Sequence, residues 1–519
     1  MFLVEVFLTA VCLAASYYLL RIYPFTSEPR HLPPLFPGGL PFIGNLSQIM
    51  KLQQRKGFHI LLQQMAAHGR KLGLKQNLVR FEFPFSRTRG VVCSDAALAR
   101  DVMCRHQDFA RDGLIQRILC EFKHALFVTI GDEWKRHRKA LQPAFGPVQV
   151  RRTAQVTSDV CQDLFESWDI LISCGNKQVN IHEHFSALSV DVIGKISFGY
   201  HFDYCKNLPT PSNPVFSSFK DFEAVMTAAP LRIVPWIFWV TRKVTVADLK
   251  PSVDRIRERI QAVIKAKMAA GESAKKDAKD VDLLDRMIAA TNESSTLGKP
   301  VFSTKELQDE TVGFFLAGHE TTANTLTFIV LEISRPENKH IFTKIRQEID
   351  SVMAKQDKLP ESEKMTLEEI AKHLSYSGNV VKESQRMHAV VQGVSKAALS
   401  DTMLGEYVIP AGTRVTANIA DLHRNPAYWD SPETFLPERW DNGFTPVPGS
   451  YMPFGDGLNN CIGQKLAVIE MKIAISLIVR SYDLLLVPGQ TLEPYNTITY
   501  GLKSGLMIQI EKRAVENGE

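Results

Sequence analysis

Apolar positions recur at three- and four-residue intervals through most of the chain, and this spacing predicts helices. The clearest periods run over residues 249–268, 307–333 and 466–479. Two-residue alternation is confined to short runs: 79–83, 90–93 and 506–510, with a strand–turn–strand over 407–415 whose turn holds Pro410 and Gly412. Residues 271–300 are rich in Lys, Asp, Ser and Gly and read as an exposed connection. No shift in composition divides residues 50–512, so the expectation is one large, mainly α domain with a minor β portion.

The N-terminus carries a different pattern. Residues 2–20 are apolar except for Glu5. At about 1.5 Å per residue they extend for roughly 28 Å, enough for a thin bilayer. Arg21, Arg30, Lys51, Arg55 and Lys56 follow, so the positive-inside rule leaves the rest of the chain in the cytosol. A cleaved signal peptide is the rival reading, with small residues at Ala14, Ala15 and Ser16, but the basic leading segment is missing. With this topology the glycosylation triplets at Asn45 and Asn292 lie on the wrong side of the membrane. Pro33, Pro34, Pro37 and Pro41 then stiffen a short strut. The expected organisation is an anchor over 1–21, a proline-rich hinge over 22–49 and a catalytic domain over 50–519.

Composition narrows the class. The 519 residues are 45% hydrophobic and 23% charged, which excludes wholesale disorder. Sixty-one Lys and Arg against 56 Asp and Glu give a net charge of +5, too mild for a nucleic-acid partner. The eight cysteines show no C-x-x-C pair, which argues against a zinc ribbon or a redox dithiol. Seven read as small buried hydrophobes, and Cys461 stands apart.

Cys461 lies in Phe454-Gly455-Asp456-Gly457-Leu458-Asn459-Asn460-Cys461-Ile462-Gly463, immediately before a strongly helical period. The glycines allow a tight turn and close approach to a flat cofactor. A thiolate just ahead of a helix is stabilised by the dipole and by N–H donors, and such a sulfur can ligate haem iron or act as a nucleophile. A dinucleotide loop is unsupported, because Asn460 stands where G-x-G-x-x-G requires glycine. Upstream, Ala317-Gly318-His319-Glu320-Thr321-Thr322 interrupts an apolar helix with small and polar residues. Small Ala317 and Gly318 leave room beside one face. A threonine hydroxyl can bond the carbonyl one turn back and create a polar notch. The zinc motif H-E-x-x-H fails here, since position 323 is Ala.

These segments resemble two motifs of the cytochrome P-450 superfamily: its F-x-x-G-x-R-x-C-x-G loop and its A/G-G-x-D/E-T-T oxygen-activation segment. Glu383-Ser384-Gln385-Arg386 and Phe435-Leu436-Pro437-Glu438-Arg439-Trp440 resemble the parts of its Glu–Arg–Arg network, here Glu383, Arg386 and Arg439. Trp134 and Arg138, at i and i+4, resemble its W-x-x-x-R helix, and Lys396 occupies a position where the family often has another propionate-binding residue. One departure is Asn459, which stands where the family usually places a propionate-pairing Arg and supplies no charge.

The resemblance implies the cytochrome P-450 fold, a large helical domain with a small β portion, plus one N-terminal transmembrane helix. It implies haem b with Cys461 as axial thiolate and iron ligand. Trp134, Arg138, Ala317, Lys396, Phe454, Asn459 and Gly463 then contact the cofactor, and Thr321 with Glu320 deliver protons. The implied activity is insertion of one atom of O2 into a lipophilic small molecule, at the endoplasmic reticulum membrane. Electrons come from an NADPH-dependent flavoprotein reductase, with cytochrome b5 as a further donor. Lys135 and Lys139, turned away from Trp134, read either as a basic docking face for such a donor or as a plainly solvated pair. The apolar residues 229–239 read either as a membrane-dipping segment beside the access channel or as core. Two rivals keep the haem: an O2-independent isomerase or dehydratase, against which the Glu320–Thr321 pair argues, and a non-enzymatic haem sensor or carrier.

Overall fold

All three long apolar periods fold as helices. The computed structural model describes residues 32–38, 45, 58–83, 88–113, 116, 120–208, 246–271, 281–292, 301–496 and 499–513. The expected anchor over 1–21, most of the proline-rich hinge and residues 229–239 lie outside the described residues. Among the described residues, no helix is long and apolar enough to cross a membrane. The chain forms two compact units, one from residues 1–110 and 394–418, the other from 111–393 and 419–519.

The smaller unit carries the expected β runs at 79–83, 90–93 and 407–415, and the run at 506–510 falls in the larger one. Its helices are α1 (Phe58–Lys71) and α2 (Ala96–Cys104). Its strands are β1 (Leu78–Phe83), β2 (Thr88–Cys93), β3 (Phe109–Arg111), β4 (Val394–Ala398), β5 (Thr402–Leu404), β6 (Tyr407–Ile409) and β7 (Arg414–Ala417). Five of them form a mixed sheet in the order β1-β2-β7-β4-β3. Antiparallel β1 and β2 place Phe81 opposite Gly90, and a Cβ at position 90 would sit 2.1 Å from the Phe81 ring. Glycine is needed there for close backbone approach. The turn at 410–412 does not make a hairpin: β6 pairs with β5, whereas β7 runs parallel to β2 and antiparallel to β4. Part of the proline segment docks on this unit, with the Arg80 amide donating to Pro34 at 2.9 Å and the Phe36 amide donating to Arg80 at 2.8 Å. Asn45 is buried, its side chain bonded to the Phe36 carbonyl and the Glu82 amide.

The larger unit is helical. Its framework comprises α3 (Gly131–Leu141), α4 (Pro147–Ser173), α5 (Ile181–Ile193), α6 (Val246–Gly271), α7 (Leu283–Asn292), α8 (Thr304–Ile333), α9 (Lys339–Asp357), α10 (Ser375–Met387) and α11 (Gln464–Ser481). Residues Gln178–Asn180, Met507–Lys512 and Tyr482–Leu486 form a three-stranded antiparallel sheet. The long helix α8 begins with a capping box, in which Ser303 and Glu306 satisfy each other's amides. Its sides are buried against α5 and the rest of one core containing Trp168, Phe185 and Leu326.

Three expectations need correction. Residues 271–300 are not a simple exposed connection: α7 lies within them, and Leu283, Leu284 and Met287 are buried. The buried ion pair of Lys267 with Asp282, at the start of α7, ties this helix to α6. Gly318 does not leave open room either. A Cβ there would meet Ile193 at 2.8 Å, so its smallness lets α8 and α5 approach. Finally, Cys93, Cys161 and Cys205 are buried, but Cys104 and Cys174 are exposed because they sit at helix ends.

Candidate active site

The cysteine loop is shaped by its own backbone. Gly455 and Gly457 adopt φ of 72° and 66°, a region that penalises any side chain. Asp456 accepts from the Gly457 amide at 2.7 Å, and a single 3-10 turn follows over Gly457–Asn459. The Cys461 amide then donates to the Phe454 carbonyl at 2.9 Å, closing the loop ahead of α11, for which Gly463 is the N-cap. Burial holds the Cys461 thiol above its ordinary value, and the Gly463 amide, the Arg138 charge and the Gln464 amide offset only part of that rise. The residue as a whole is nonetheless exposed to solvent.

Helix α3 packs its functional face toward this loop. Arg138 donates to the Asn460 carbonyl at 2.9 Å and to the Asn460 side-chain oxygen at 3.1 Å. One turn earlier, Trp134 has a buried Nε1 with no acceptor among the described residues. The Arg111 guanidinium lies 5.9 Å from the Trp134 ring and donates to the Leu126 and Thr129 carbonyls. Burial, and then the Arg138 charge, push Arg111 down to about 10.

Aromatic packing joins the loop to α8. Phe145 lies 4.0 Å from where a Gly463 Cβ would be, and its ring centroid is 5.6 Å from that of Phe314, one turn before Ala317. Thr321 donates to the Ala317 carbonyl at 2.8 Å, as expected, yet the helix continues without a break. Ala317 is exposed and Thr321 half-buried in a helix whose following residues are buried, so the polar notch is present at this turn. Glu320 accepts a short hydrogen bond from Thr499, and Thr499 accepts from Asn324 at 3.1 Å. His319 is buried with Nδ1 3.0 Å from the Phe315 carbonyl, so it faces its own helix.

The Glu383, Arg386 and Arg439 side chains converge, deeply buried. Glu383 accepts from Arg386 Nη2 (2.8 Å), Arg386 Nε (2.9 Å), Arg439 Nε (3.0 Å), Trp440 Nε1 (2.9 Å) and the Leu436 amide (3.0 Å). Arg386 also donates to the carbonyls of His423, Pro432 and Thr434. Lys396 belongs to the smaller unit, where it is buried on β4. Burial, and then its charge, lower His106 there. Asn459 is half-buried at the end of the 3-10 turn, and the neighbouring Asn460 takes the Arg138 contacts. The sequence gives no signal for Asn460, Arg111, Phe145 or Thr499, because each acts through a partner distant in the chain.

Taken with this fold, a cysteine in a glycine-turned loop, a notched helix and a buried Glu–Arg–Arg network define a haem-thiolate class of protein. A family model described as Cytochrome P450 matches residues 33–511, and the chain belongs to that family. It is therefore a monooxygenase-type oxidoreductase, of a family that holds haem b through a cysteine thiolate. Similar proteins include Cytochrome P450 4d2 of Drosophila melanogaster, 25% identical over 92% of this chain and 93% of the relative. Leukotriene-B4 omega-hydroxylase 3 of Mus musculus is 28% identical over 69% of this chain and 68% of its own. Protein LUTEIN DEFICIENT 5, chloroplastic, of Arabidopsis thaliana is 26% identical over 83% of this chain and 72% of its own.

Proposed function

We propose that this protein is a membrane-anchored monooxygenase that hydroxylates a lipophilic small molecule, with Cys461 as the haem ligand. The observation that carries the reading is the Cys461 loop, whose cysteine is exposed, amide-supported and anchored through Asn460 to Arg138. The residues present suit haem b. The buried Trp134 Nε1, which has no acceptor among the described residues, is a donor suited to an acceptor such as a propionate, and leaving it unpaired would cost about 1–3 kcal/mol. Arg138 and Arg111 add positive charge on the same side. Asn459 offers hydrogen bonding there without charge. Gly463 lies beside the sulfur, where a Cβ would sit 4.0 Å from Sγ, and the Phe454 carbonyl takes the Cys461 amide; Phe454 and Ala317 are assigned as further contacts of the cofactor. When bound, the haem supplies oxygen activation and the oxidising power.

The chain's own contribution is positioning and proton control. Thr321 holds a hydroxyl at the notch, its proton directed to Ala317 and its oxygen free to accept. Glu320, bonded to Thr499, is the proton source nearest that hydroxyl in sequence. Glu383, Arg386 and Arg439 fix the segment before the loop. Lys396 is assigned as a further propionate partner. A leukotriene hydroxylase among the relatives supports a lipophilic substrate. The 2–20 apolar run supports anchoring at the endoplasmic reticulum, with domains over 1–21, 22–49 and 50–519. An NADPH-dependent flavoprotein reductase, and cytochrome b5 beside it, would dock on the exposed Lys135 and Lys139 face. The test is the reduced CO spectrum of wild type and Cys461→Ser. Wild type should show a thiolate-type Soret band that the variant lacks; the same band in both would overturn the assignment.

A further inference from the structure

The Glu383 network does not touch the cysteine loop through any bond described so far, so something must carry its rigidity there. His423 stands between them. It is fully buried, one residue beyond the short helix Ile419–Leu422. Its carbonyl accepts from Arg386 Nη1 at 3.0 Å. Its ring Nδ1 is 3.1 Å from the Gln385 carbonyl, and its Nε2 is 2.7 Å from the Met452 amide. The Met452 carbonyl accepts from the Gly455 amide at 3.1 Å, and two residues beyond Met452 the Phe454 carbonyl takes the Cys461 amide.

Elementary donor and acceptor chemistry assigns the ring. A carbonyl only accepts, so Nδ1 must carry the proton toward Gln385. An amide N–H only donates, so Nε2 must present its lone pair to Met452. One neutral tautomer satisfies both contacts, and an imidazolium would break the second. Burial, and the Arg386 charge beyond it, push the ring down to about 3, which agrees with this assignment.

We infer that His423, locked as its Nδ1-protonated neutral tautomer, is the positioning residue that transmits the Glu383–Arg386 clamp to Met452 and thereby holds the Cys461 loop in its ligating geometry. The inference rests on Cys461 as the haem ligand. Its chemical logic is that of an outer-shell partner: it touches no reacting atom but sets the orientation of the ligand that does. Alanine at 423 would orphan the buried Met452 amide and release the segment leading into the loop, while leaving the Glu383–Arg386 pair and the Arg386 bond to the 423 carbonyl available. Glutamine carries one acceptor and one donor on a side chain long enough to serve both contacts.

The experiment compares wild type, His423→Ala and His423→Gln, each as purified haem-loaded full-length protein. It measures the reduced CO spectrum and the haem reduction potential, with urea stability as a parallel measurement. The expected result is loss of the thiolate-type band to a protonated-thiol form in His423→Ala, with a shifted potential in any remaining thiolate fraction. His423→Gln should restore most of the band. A His423→Ala protein that is merely less stable, with the wild-type band and potential in its haem-loaded fraction, would show that His423 is ordinary core and overturn the inference. If His423→Ala yields no haem-loaded protein, His423→Gln decides alone: a wild-type band supports the bridging role and its absence refutes it. Absence of the thiolate band in wild type would instead defeat the assignment of Cys461, so the two failures are distinguishable.

Discussion

Replacing Glu383 with Gln keeps the shape of the side chain and removes its charge, which makes it a direct test of the buried network. Glu383 accepts five hydrogen bonds, three at Oε1 and two at Oε2. A glutamine has one acceptor oxygen, so its NH2 group must face donors. In the better orientation it replaces Oε2 and confronts Arg386 Nε and Trp440 Nε1. Two buried donors are then unpaired, at about 1–3 kcal/mol each. The fully buried Arg386 also loses its counter-charge, and breaking a buried pair from one side commonly costs about 3–5 kcal/mol. These are overlapping descriptions of one loss, so the expected destabilisation is about 3–5 kcal/mol, a large part of the ~5–15 kcal/mol that holds a typical domain together. The neighbouring Glu438, bonded to Lys344 and Tyr376 and partly exposed, provides the control, and Glu438→Gln should cost under about 1 kcal/mol. The assay is urea unfolding of the haem-loaded proteins, followed by Soret absorbance and far-ultraviolet circular dichroism. A Glu383→Gln protein no less stable than Glu438→Gln would refute the reasoning.

Three further outcomes are expected. Thr321→Ala should preserve substrate binding but lower product and raise hydrogen peroxide per NADPH consumed, since a positioned proton donor commonly contributes about 10²–10⁴-fold; equal coupling in both proteins would leave Thr321 a helix residue only. Burial raises Glu470 to about 8, although Ser189 beside it acts in the opposite direction. A folded value above the unfolded one favours folding fully at low pH. That contribution is lost as pH rises from the ordinary carboxylate value toward about 8, at about 1.4 kcal/mol per pH unit. Glu470→Gln should therefore gain stability relative to wild type by a few kcal/mol between about pH 5 and about pH 8, and a difference independent of pH in urea unfolding would contradict it. Deleting residues 1–21 should release protein from membranes with its haem spectrum intact; a folded truncation that loses haem would show that the segment does more than anchor.

Much of this molecule is legible from local pattern, because helices and motif loops are built from residues close in the chain. The 3.6-residue periods located α6, α8 and α11, and the Gly-flanked Cys461 and the Ala317–Thr322 turn stand out for the same reason. The Glu383–Arg386 pair sits within one helical turn, so it too is visible before folding. Other features depend on which surfaces meet. A glycine can leave space or fill it, and only the approach of Ile193 shows that Gly318 is filled. A polar segment can be a loop or can bury one apolar face, and α7 does the latter because α6 offers Lys267 to Asp282. The β portion draws residues 394–418 back to join the first 110, a return no composition profile can show. The roles of Asn460 and His423 belong to the same category. A histidine's tautomer is set by the donor and acceptor on either side of it, here Met452 and Gln385, and those come into range only when distant parts of the chain fold together.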